Sequence, residues 1–280
     1  MVSQTAQSVS KANIFLTCTK EKYYNDEMIV SRNTLIKMIS GEMKIILPGI
    51  THVLTAGDII FFPRNELAKV MKAPRDGQPY KSVAIQFSTE AVQQYLLKHN
   101  IKHHHYQEKA GIKLMDEHPL LESLFNSLIP YFNLKNELPL SIADAKVDEA
   151  ITILRTIDED LFNSISNFDE PYKINLPEFM EKNFMFNMPM EKFGYLTGRS
   201  LTTFKRDFKK AFNTTPQKWL TQKRLEAAYH QINELNKKPV DVYYEVGFEN
   251  LSHFSFAFKK QFGFAPTNLI SNKMEHKIFN

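Results

Sequence analysis

Residues 203–216 read TFKRDFKKAFNTTP, and fifty residues later residues 253–266 read HFSFAFKKQFGFAP. Both stretches carry phenylalanines at intervals of four residues, a Lys-Lys pair and a closing proline. Side chains four residues apart lie on one face of a helix. The sequence therefore repeats one helical unit, whose phenylalanines we expect in a core and whose opposite face is polar and basic.

A shorter apolar segment precedes each of these helices and ends at a glycine. Pro189 and Gly198 bound the first segment, and Pro239 and Gly247 bound the second. Proline favours a helix start, whereas glycine readily adopts the left-handed backbone at a helix end. The pattern predicts two helix-turn-helix units. Residues 219–233 should form a helix that connects the units, with four residues available to pack inward: Trp219, Leu220, Leu225 and Ala228.

The upstream part of the chain has a β-like pattern between residues 33 and 88. Short apolar runs at 34–40, 42–47, 58–62 and 81–87 alternate with turn residues. Such spacing predicts an antiparallel sandwich or small barrel, which can enclose one small ligand. The interior candidates fit a filled core and a ligand cavity equally well: Ile36, Met38, Ile45, Leu47, Ile60 and Phe62.

Two stripes of apolar residues at helical spacing follow the strands. The first runs through residues 120–129 and the second through residues 147–161. An apolar stripe predicts a buried helix face without identifying what covers it. The stripes therefore either pack on the barrel or form the seam of a dimer.

Charge is divided unevenly along the chain, although the net charge of the 280 residues is only +4. Residues 1–170 contain 18 Lys and Arg against 21 Asp and Glu, whereas residues 171–280 contain 17 against 10. A basic last third behind a mildly acidic remainder is typical of a chain in which one domain meets a polyanion.

Composition excludes several classes of protein. The single cysteine, Cys18, allows neither an internal disulfide nor a zinc finger. The sequence has no apolar run of membrane-spanning length, and residues 1–20 lack the pattern of a signal peptide. We therefore expect a cytoplasmic protein without membrane contact.

The last hundred residues closely resemble the DNA-binding domain of the AraC/XylS family of bacterial transcription regulators. The resemblance rests mainly on residues 244–263, followed by Ala265 and Pro266. The strand-rich half is similar to the family's cupin-like sensor and dimerisation domain, chiefly through residues 57–63, GDIIFFP.

The resemblance implies an α+β chain of two domains. An antiparallel cupin-like β-barrel with trailing helices would be followed by an all-α domain with two helix-turn-helix units. The expected boundaries are a flexible arm at 1–18, the sensor and dimerisation domain at 19–165, a linker at 166–175 and the DNA-binding domain at 176–275.

In this family the second helix of each unit enters the DNA major groove. Thr202, Lys205 and Arg206 would face base edges, with Arg206 pairing bidentately with guanine O6 and N7, while Ser200 and Lys209 would lie nearer phosphates. Phe256 stands where many members have arginine, and Tyr243 stands where alanine is common, so specificity is expected to rest mainly on the first unit. The expected DNA-binding set is Ser200, Thr202, Thr203, Lys205, Arg206, Lys209, Asn250, Leu251, Ser252, His253, Ser255 and Lys259.

The resemblance further implies an activator that is not an enzyme and needs no cofactor or metal. Its partners would be double-stranded DNA, RNA polymerase, a second copy of the chain and an effector in the barrel, either a small molecule or a protein. The alternatives are a small-molecule-binding protein without a regulatory role and a cupin-type metal enzyme, which needs converging histidines and a carboxylate. The strand-rich part offers only His52 before residue 99, and His103, His104 and His105 are expected in a solvated loop.

Overall fold

The structure is a computed structural model that describes residues 7–11, 13–20, 23–48, 50–101, 111–133, 138–169, 171 and 173–269. The chain divides into two compact units, and the division falls after Asp169. Among the described residues, no helix combines the length and the apolar character required to cross a lipid bilayer.

Antiparallel strands form two sheets in the described part of the N-terminal unit. The six-stranded sheet has the order β1-β2-β9-β4-β7-β10, and the four-stranded sheet has the order β3-β8-β5-β6. The strands are β1 (Gln7–Lys11), β2 (Ile14–Thr19), β3 (Tyr23–Ile29), β4 (Asn33–Ser40), β5 (Glu42–Leu47), β6 (Ile50–Leu54), β7 (Ile59–Phe62), β8 (Leu67–Ala73), β9 (Tyr80–Phe87) and β10 (Lys113–Leu114).

The two sheets enclose one core between them. Ile36 and Met38 of β4 pack there with Met43 and Ile45 of β5 and with Val70 of β8. Side chains alternate between the two faces of a strand, so every second residue of β4 and β7 enters this core. All six residues predicted to face the interior pack in or against it, with Leu47 partly buried. The prediction of an antiparallel cupin-like architecture is confirmed, with two sheets in place of one closed barrel.

Helices cover the opposite face of the six-stranded sheet and form a second core. They are α1 (Thr89–Lys98), α2 (Pro119–Leu128), a 3-10 helix (Ile129–Asn133), α3 (Leu140–Ile157) and α4 (Glu159–Ser166). Leu124 and Phe125 of α2 and Ile151 of α3 lie in one cluster with Leu35 and Phe61 of the sheet. Both predicted stripes therefore pack largely within the N-terminal unit.

Two details of the stripes differ from the sequence pattern. Leu120, at the start of α2, is exposed, and Leu161 belongs to α4 because α3 ends at Ile157. Asp158 begins α4, where its side chain accepts a hydrogen bond from the backbone N–H of Leu161 at 3.0 Å.

The prediction of a flexible arm at 1–18 is wrong for residues 7–11 and 14–18, which belong to strands β1 and β2. Strand β2 pairs with β9, with Ile14 opposite Ile85 and Leu16 opposite Val83. Ile14 and Leu16 are both buried. Residues 14–16 are all apolar and do not alternate with polar residues, so the local pattern does not identify the strand. Its pairing with β9 joins residues about seventy positions apart. The sequence pattern also does not predict strands β3, β6 and β8, of which β6 pairs with the adjacent β5 and β8 pairs with both β3 and β5.

Every secondary-structure element in the described part of the C-terminal unit is a helix. Its helices are α5 (Leu176–Asn183), α6 (Met190–Leu196), α7 (Leu201–Phe212), α8 (Pro216–Asn233), α9 (Pro239–Glu245) and α10 (Leu251–Phe262). The connecting helix α8 begins three residues earlier than predicted, with Pro216 in its first turn. The predicted inward packing of Trp219, Leu220, Leu225 and Ala228 is confirmed, because all four are buried.

The turn between β4 and β5 yields a test of the N-terminal unit. Gly41 has a φ of 79°, and a Cβ placed on it would lie 2.6 Å from the Tyr80 Cα and 2.7 Å from the Ala73 carbonyl oxygen. Gly41→Ala should lower the free energy of unfolding by about 2–4 kcal/mol, because steric clash adds to backbone strain. Urea unfolding followed by far-UV circular dichroism measures this loss.

Gly57→Ala is the matched control, since Gly57 also has a positive φ, 99°, but has no atom within 4 Å of the added Cβ. Its expected cost is about 1 kcal/mol from backbone strain alone. Equal losses in the two variants would show that the contact at Gly41 relaxes without cost.

Candidate nucleic-acid interface

Two helix-turn-helix units are present in the C-terminal unit, as predicted. In the first, α6 leads through Gly198, with a φ of 65°, into α7. In the second, α9 leads through Gly247, with a φ of 103°, into α10. The Arg199 N–H donates to the Gly194 carbonyl and the Phe248 N–H donates to the Tyr243 carbonyl, both at 2.9 Å. The same glycine turn therefore closes both units.

Each second helix buries the first two phenylalanines of the repeated four-residue series, and the third, Phe212 or Phe262, is partly buried. Phe204 and Phe208 of α7 are fully buried, and so are Phe254 and Phe258 of α10. The Phe208 ring meets Trp219 of α8 edge to face at 5.8 Å between centroids. Because one face of each helix packs in a core, the opposite face is exposed to solvent.

Side-chain caps begin both of these helices in the same way. The Ser200 hydroxyl accepts from the Thr203 N–H at 3.3 Å, and the Asn250 side chain accepts from the His253 N–H at 2.7 Å. The Ser200 hydroxyl also donates to the Thr203 side chain at 3.1 Å. The predicted site residues Ser200, Thr203 and Asn250 thus take part in capping, which fixes where each helix begins.

The remaining predicted residues lie on the outer faces of α7 and α10. On α7, Thr202, Lys205, Arg206 and Lys209 are exposed, and the side chain of Arg206 is 74% exposed. Its guanidinium lies 3.4 Å from the Asp207 carboxylate. On α10, the exposed predicted residues are Leu251, Ser252, His253 and Lys259, and Ser255 is partly buried.

Arg224 is a buried charged residue that sequence reasoning missed. It lies on α8, and its guanidinium donates to the carbonyls of Phe184 at 2.8 Å, Phe186 at 2.7 Å and Gly247 at 3.0 Å. It also donates to the Asn187 side chain at 3.2 Å. The sequence contains an indication of this burial: Arg224 lies four residues from both Leu220 and Ala228, which are predicted to pack inward, so all three share one side of the helix.

These bonds join the two helix-turn-helix units. Residues 184–187 precede α6 in the first unit, whereas Gly247 is the turn of the second. A Cβ on Gly247 would lie 2.5 Å from the Met185 carbonyl oxygen and 2.9 Å from the Arg224 Nε, so glycine is required for this close approach. Asn187 adds a bond to the Glu249 carboxylate at 2.7 Å. The relative position of α7 and α10 is therefore held by α8 and by Arg224.

An ion cluster fixes the N-terminal end of α7. Arg199, in the turn, donates to the Asp207 carboxylate at 3.1 Å and to the carbonyls of Thr197 and Ile174. Lys173 lies 3.5 Å from the same carboxylate. The hydrogen bond from Arg199, aided by the charge of Lys173, holds the pKa of Asp207 below its ordinary value of 3.8.

The described part of the chain contains no candidate metal site. Among those residues, no group of three or more His, Cys, Asp or Glu side chains is placed to hold a metal ion. His52 is partly buried on β6. His103, His104 and His105 lie outside the described residues.

Removal of the Arg224 guanidinium should destabilise the C-terminal unit. Arg224→Met leaves three carbonyls, two of them in buried hydrogen bonds, without this donor, which should lower the free energy of unfolding by about 3 kcal/mol. Fluorescence of Trp219, the only tryptophan, reports unfolding of this unit during urea titration. Gln222→Met is the control on the same helix, because the Gln222 side chain is exposed and donates to the exposed Glu226 carboxylate, and it should cost less than about 0.5 kcal/mol. Equal effects would contradict the bridging role.

The contribution of Asp207 should depend on pH. Its pKa is lower in the folded state, so its carboxylate stabilises folding above pH 3.8 and loses that effect as pH falls through the folded value. Asp207→Asn should therefore lower the free energy of unfolding at neutral pH and have progressively less effect below pH 3.8. Trp219 fluorescence during urea unfolding at several pH values measures the loss of stability at neutral pH and its decrease in acid. A difference that does not vary with pH would contradict an ionic role.

Comparison with known proteins separates the chain into the same two parts. Residues 33–161 match the model described as the ExsA N-terminal regulatory domain, and residues 196–272 match a model described as a helix-turn-helix domain. The regulator ExsA of Pseudomonas aeruginosa is 22% identical over 245 residues, which cover 87% of each chain.

Two further similarities extend the comparison. The virulence regulon transcriptional activator VirF of Yersinia enterocolitica is 22% identical over 151 residues, covering 53% of this chain and 55% of VirF. A crystal structure of apo ToxT from Vibrio cholerae aligns over 93% of this chain and 97% of its own, with 12% identity and a TM-score of 0.43. The matched regulatory domain and the matched helix-turn-helix domain occur here in one chain, which belongs to the AraC/XylS family of transcription regulators.

Proposed function

We propose that this protein is a sequence-specific DNA-binding transcription activator. One observation carries the proposal: two helix-turn-helix units of the same construction each bury a phenylalanine face and expose the opposite face of the second helix. That face is polar and basic on α7, and on α10 it carries polar residues, two lysines and Phe256. The family supports the same reading, since ExsA and VirF are named as transcriptional regulators. The family consists of regulators and not of enzymes.

Helices α7 and α10 would enter successive major grooves on one side of the DNA. Successive turns of B-DNA repeat about every 34–36 Å. Helix α8 has 18 residues and rises about 27 Å, so it can separate two reading helices by a comparable distance. Arg224 would hold that separation, because it ties both units to α8.

Contacts divide between base edges and phosphates. Thr202, Lys205 and Arg206 are assigned to base edges in the first groove, and Ser200 and Lys209 to phosphates. Exposed Ser252 and His253, with Ser255 beside them, would face the second groove. Residues 171–280 contain 17 basic and 10 acidic residues, and this positive charge supports a polyanionic partner. Affinity should fall steeply with salt, because each neutralised phosphate releases counterions.

The N-terminal unit would receive a signal and pass it to the DNA-binding unit. Its match to a regulatory domain supports this role. We assign the sensor and dimerisation role to the N-terminal unit, with strands β1 and β2 as part of it. We assign the linker to 166–175 and the DNA-binding domain to 176–275. A homodimer, contact with RNA polymerase and a cytoplasmic location complete the proposal.

The effector is either a small molecule or a protein that binds the N-terminal unit. The six predicted interior residues pack together between the sheets, so a small molecule would have to displace or separate some of them. A melting temperature that rises with the concentration of a metabolite would identify a small-molecule effector. If only a protein raises the melting temperature, the effector is a protein.

Arg206 provides the test of sequence reading. Arg206→Ala in the full chain should cost about 1–3 kcal/mol on the preferred duplex and relax base preference at one position. Selection of bound duplexes from random DNA, followed by titration of the selected and a scrambled duplex, measures both effects.

Lys209→Ala is the control for a phosphate contact. It should weaken binding to the selected and the scrambled duplex alike and reduce the salt dependence by about one counterion. If Arg206→Ala also weakens both duplexes equally, Arg206 holds only the DNA backbone. If the wild-type chain selects no sequence, the proposed function is wrong.

A further inference from the structure

Phe256 is an exposed aromatic residue in the middle of the outer face of α10. It is 71% exposed, more than any other large apolar side chain in the described part of the C-terminal unit. Its neighbours one helical turn away are Ser252 and Lys260, with Lys259 beside them, and all three are exposed. A phenyl ring therefore projects between neighbours that are polar and basic.

The internal repeat places Phe256 and Arg206 at the same position. Helix α7 begins at Leu201 after the Ser200 cap, and α10 begins at Leu251 after the Asn250 cap. Both helices have twelve residues and end at a left-handed residue, Asn213 or Gly263. Arg206 and Phe256 are thus each the sixth residue of a helix, and both are mostly exposed.

The two side chains differ in what they can recognise on DNA. A guanidinium donates two hydrogen bonds to guanine O6 and N7, whereas a phenyl ring has no donor or acceptor for a base edge. In the major groove the apolar group on a base is the C5-methyl of thymine. The lysines around Phe256 favour a polyanion over an apolar protein surface as the partner of this face.

From this equivalence we infer that Phe256 reads the C5-methyl group of a thymine in the second major groove, at the position equivalent to the base that Arg206 reads in the first. This inference rests on the proposed function. It means that the two halves of the site differ chemically, one requiring a hydrogen-bonding guanine and the other a thymine methyl. One protomer would therefore bind its DNA site in a single orientation.

Base preference tests the inference when the full chain and its variants select duplexes from random DNA. The wild type should select a conserved guanine in one half of the site and a conserved thymine in the other. Phe256→Ala should lose the thymine preference and retain the guanine. Phe256→Arg should replace the thymine preference with guanine. Arg206→Ala is the matched control and should lose only the first guanine.

Removal of the single methyl group tests the contact itself. Replacement of the selected thymine by deoxyuridine should weaken wild-type binding about fourfold, the effect of one buried methyl-sized group. Phe256→Ala should bind the thymine and deoxyuridine duplexes equally. If both proteins lose the same factor, another residue contacts the methyl group and the inference is overturned.

The outcomes separate this inference from the proposed function. If Arg206→Ala alters the selected sequence but the Phe256 variants do not, DNA reading stands and the role of Phe256 is wrong. If Phe256→Ala weakens binding to all duplexes equally, the ring contacts sugar or phosphate and the inference is again wrong. If the wild type selects no sequence, both fail. Trp219 fluorescence in urea checks that each variant retains the fold, which an exposed position should allow.

Discussion

The phenylalanines at four-residue intervals are the constraint on which the C-terminal unit depends. Phe204 and Phe208 of α7, and their equivalents on α10, are buried completely, so neither helix is free to rotate about its axis. Burial of a phenyl ring contributes about 1.5–3 kcal/mol, which is large beside the total stability of a domain. The rotation of each helix, and therefore the set of side chains it presents outward, follows from this packing.

The relation between the two helices depends on a different kind of interaction. Arg224 is a buried cation that donates hydrogen bonds to the carbonyls of Phe184, Phe186 and Gly247, which lie on opposite sides of α8 in sequence. Carbonyl dipoles replace the water that the guanidinium loses, which is a condition for burying a charge. Aromatic packing thus determines which side chains α7 and α10 expose, and the hydrogen bonds of Arg224 determine the distance between the two helices.

Local patterns predicted some elements correctly and missed others for identifiable reasons. The strand at Glu42–Leu47 was predicted at its exact bounds, because glycine turns flank it and its apolar alternation is complete within six residues. The strand at Ile14–Thr19 lies mostly in the segment that the sequence pattern predicts as a flexible arm, because its pairing with β9, about seventy residues away, leaves no local signal. Arg224 was overlooked because a charged residue in a helix is usually solvated, and its acceptors lie 23 to 40 residues away.

The sequence by itself determined the two helix-turn-helix units, their shared construction and the side chains on their outer faces. Helical spacing, capping residues and glycine turns act within a few residues, so they can be recognised along the chain. Only the tertiary structure decided the division of ten described strands between two sheets, the inward packing of the helical stripes and the bridge made by Arg224. Each of these depends on partners that are distant in sequence, and the pairing of distant residues is established only when the chain folds.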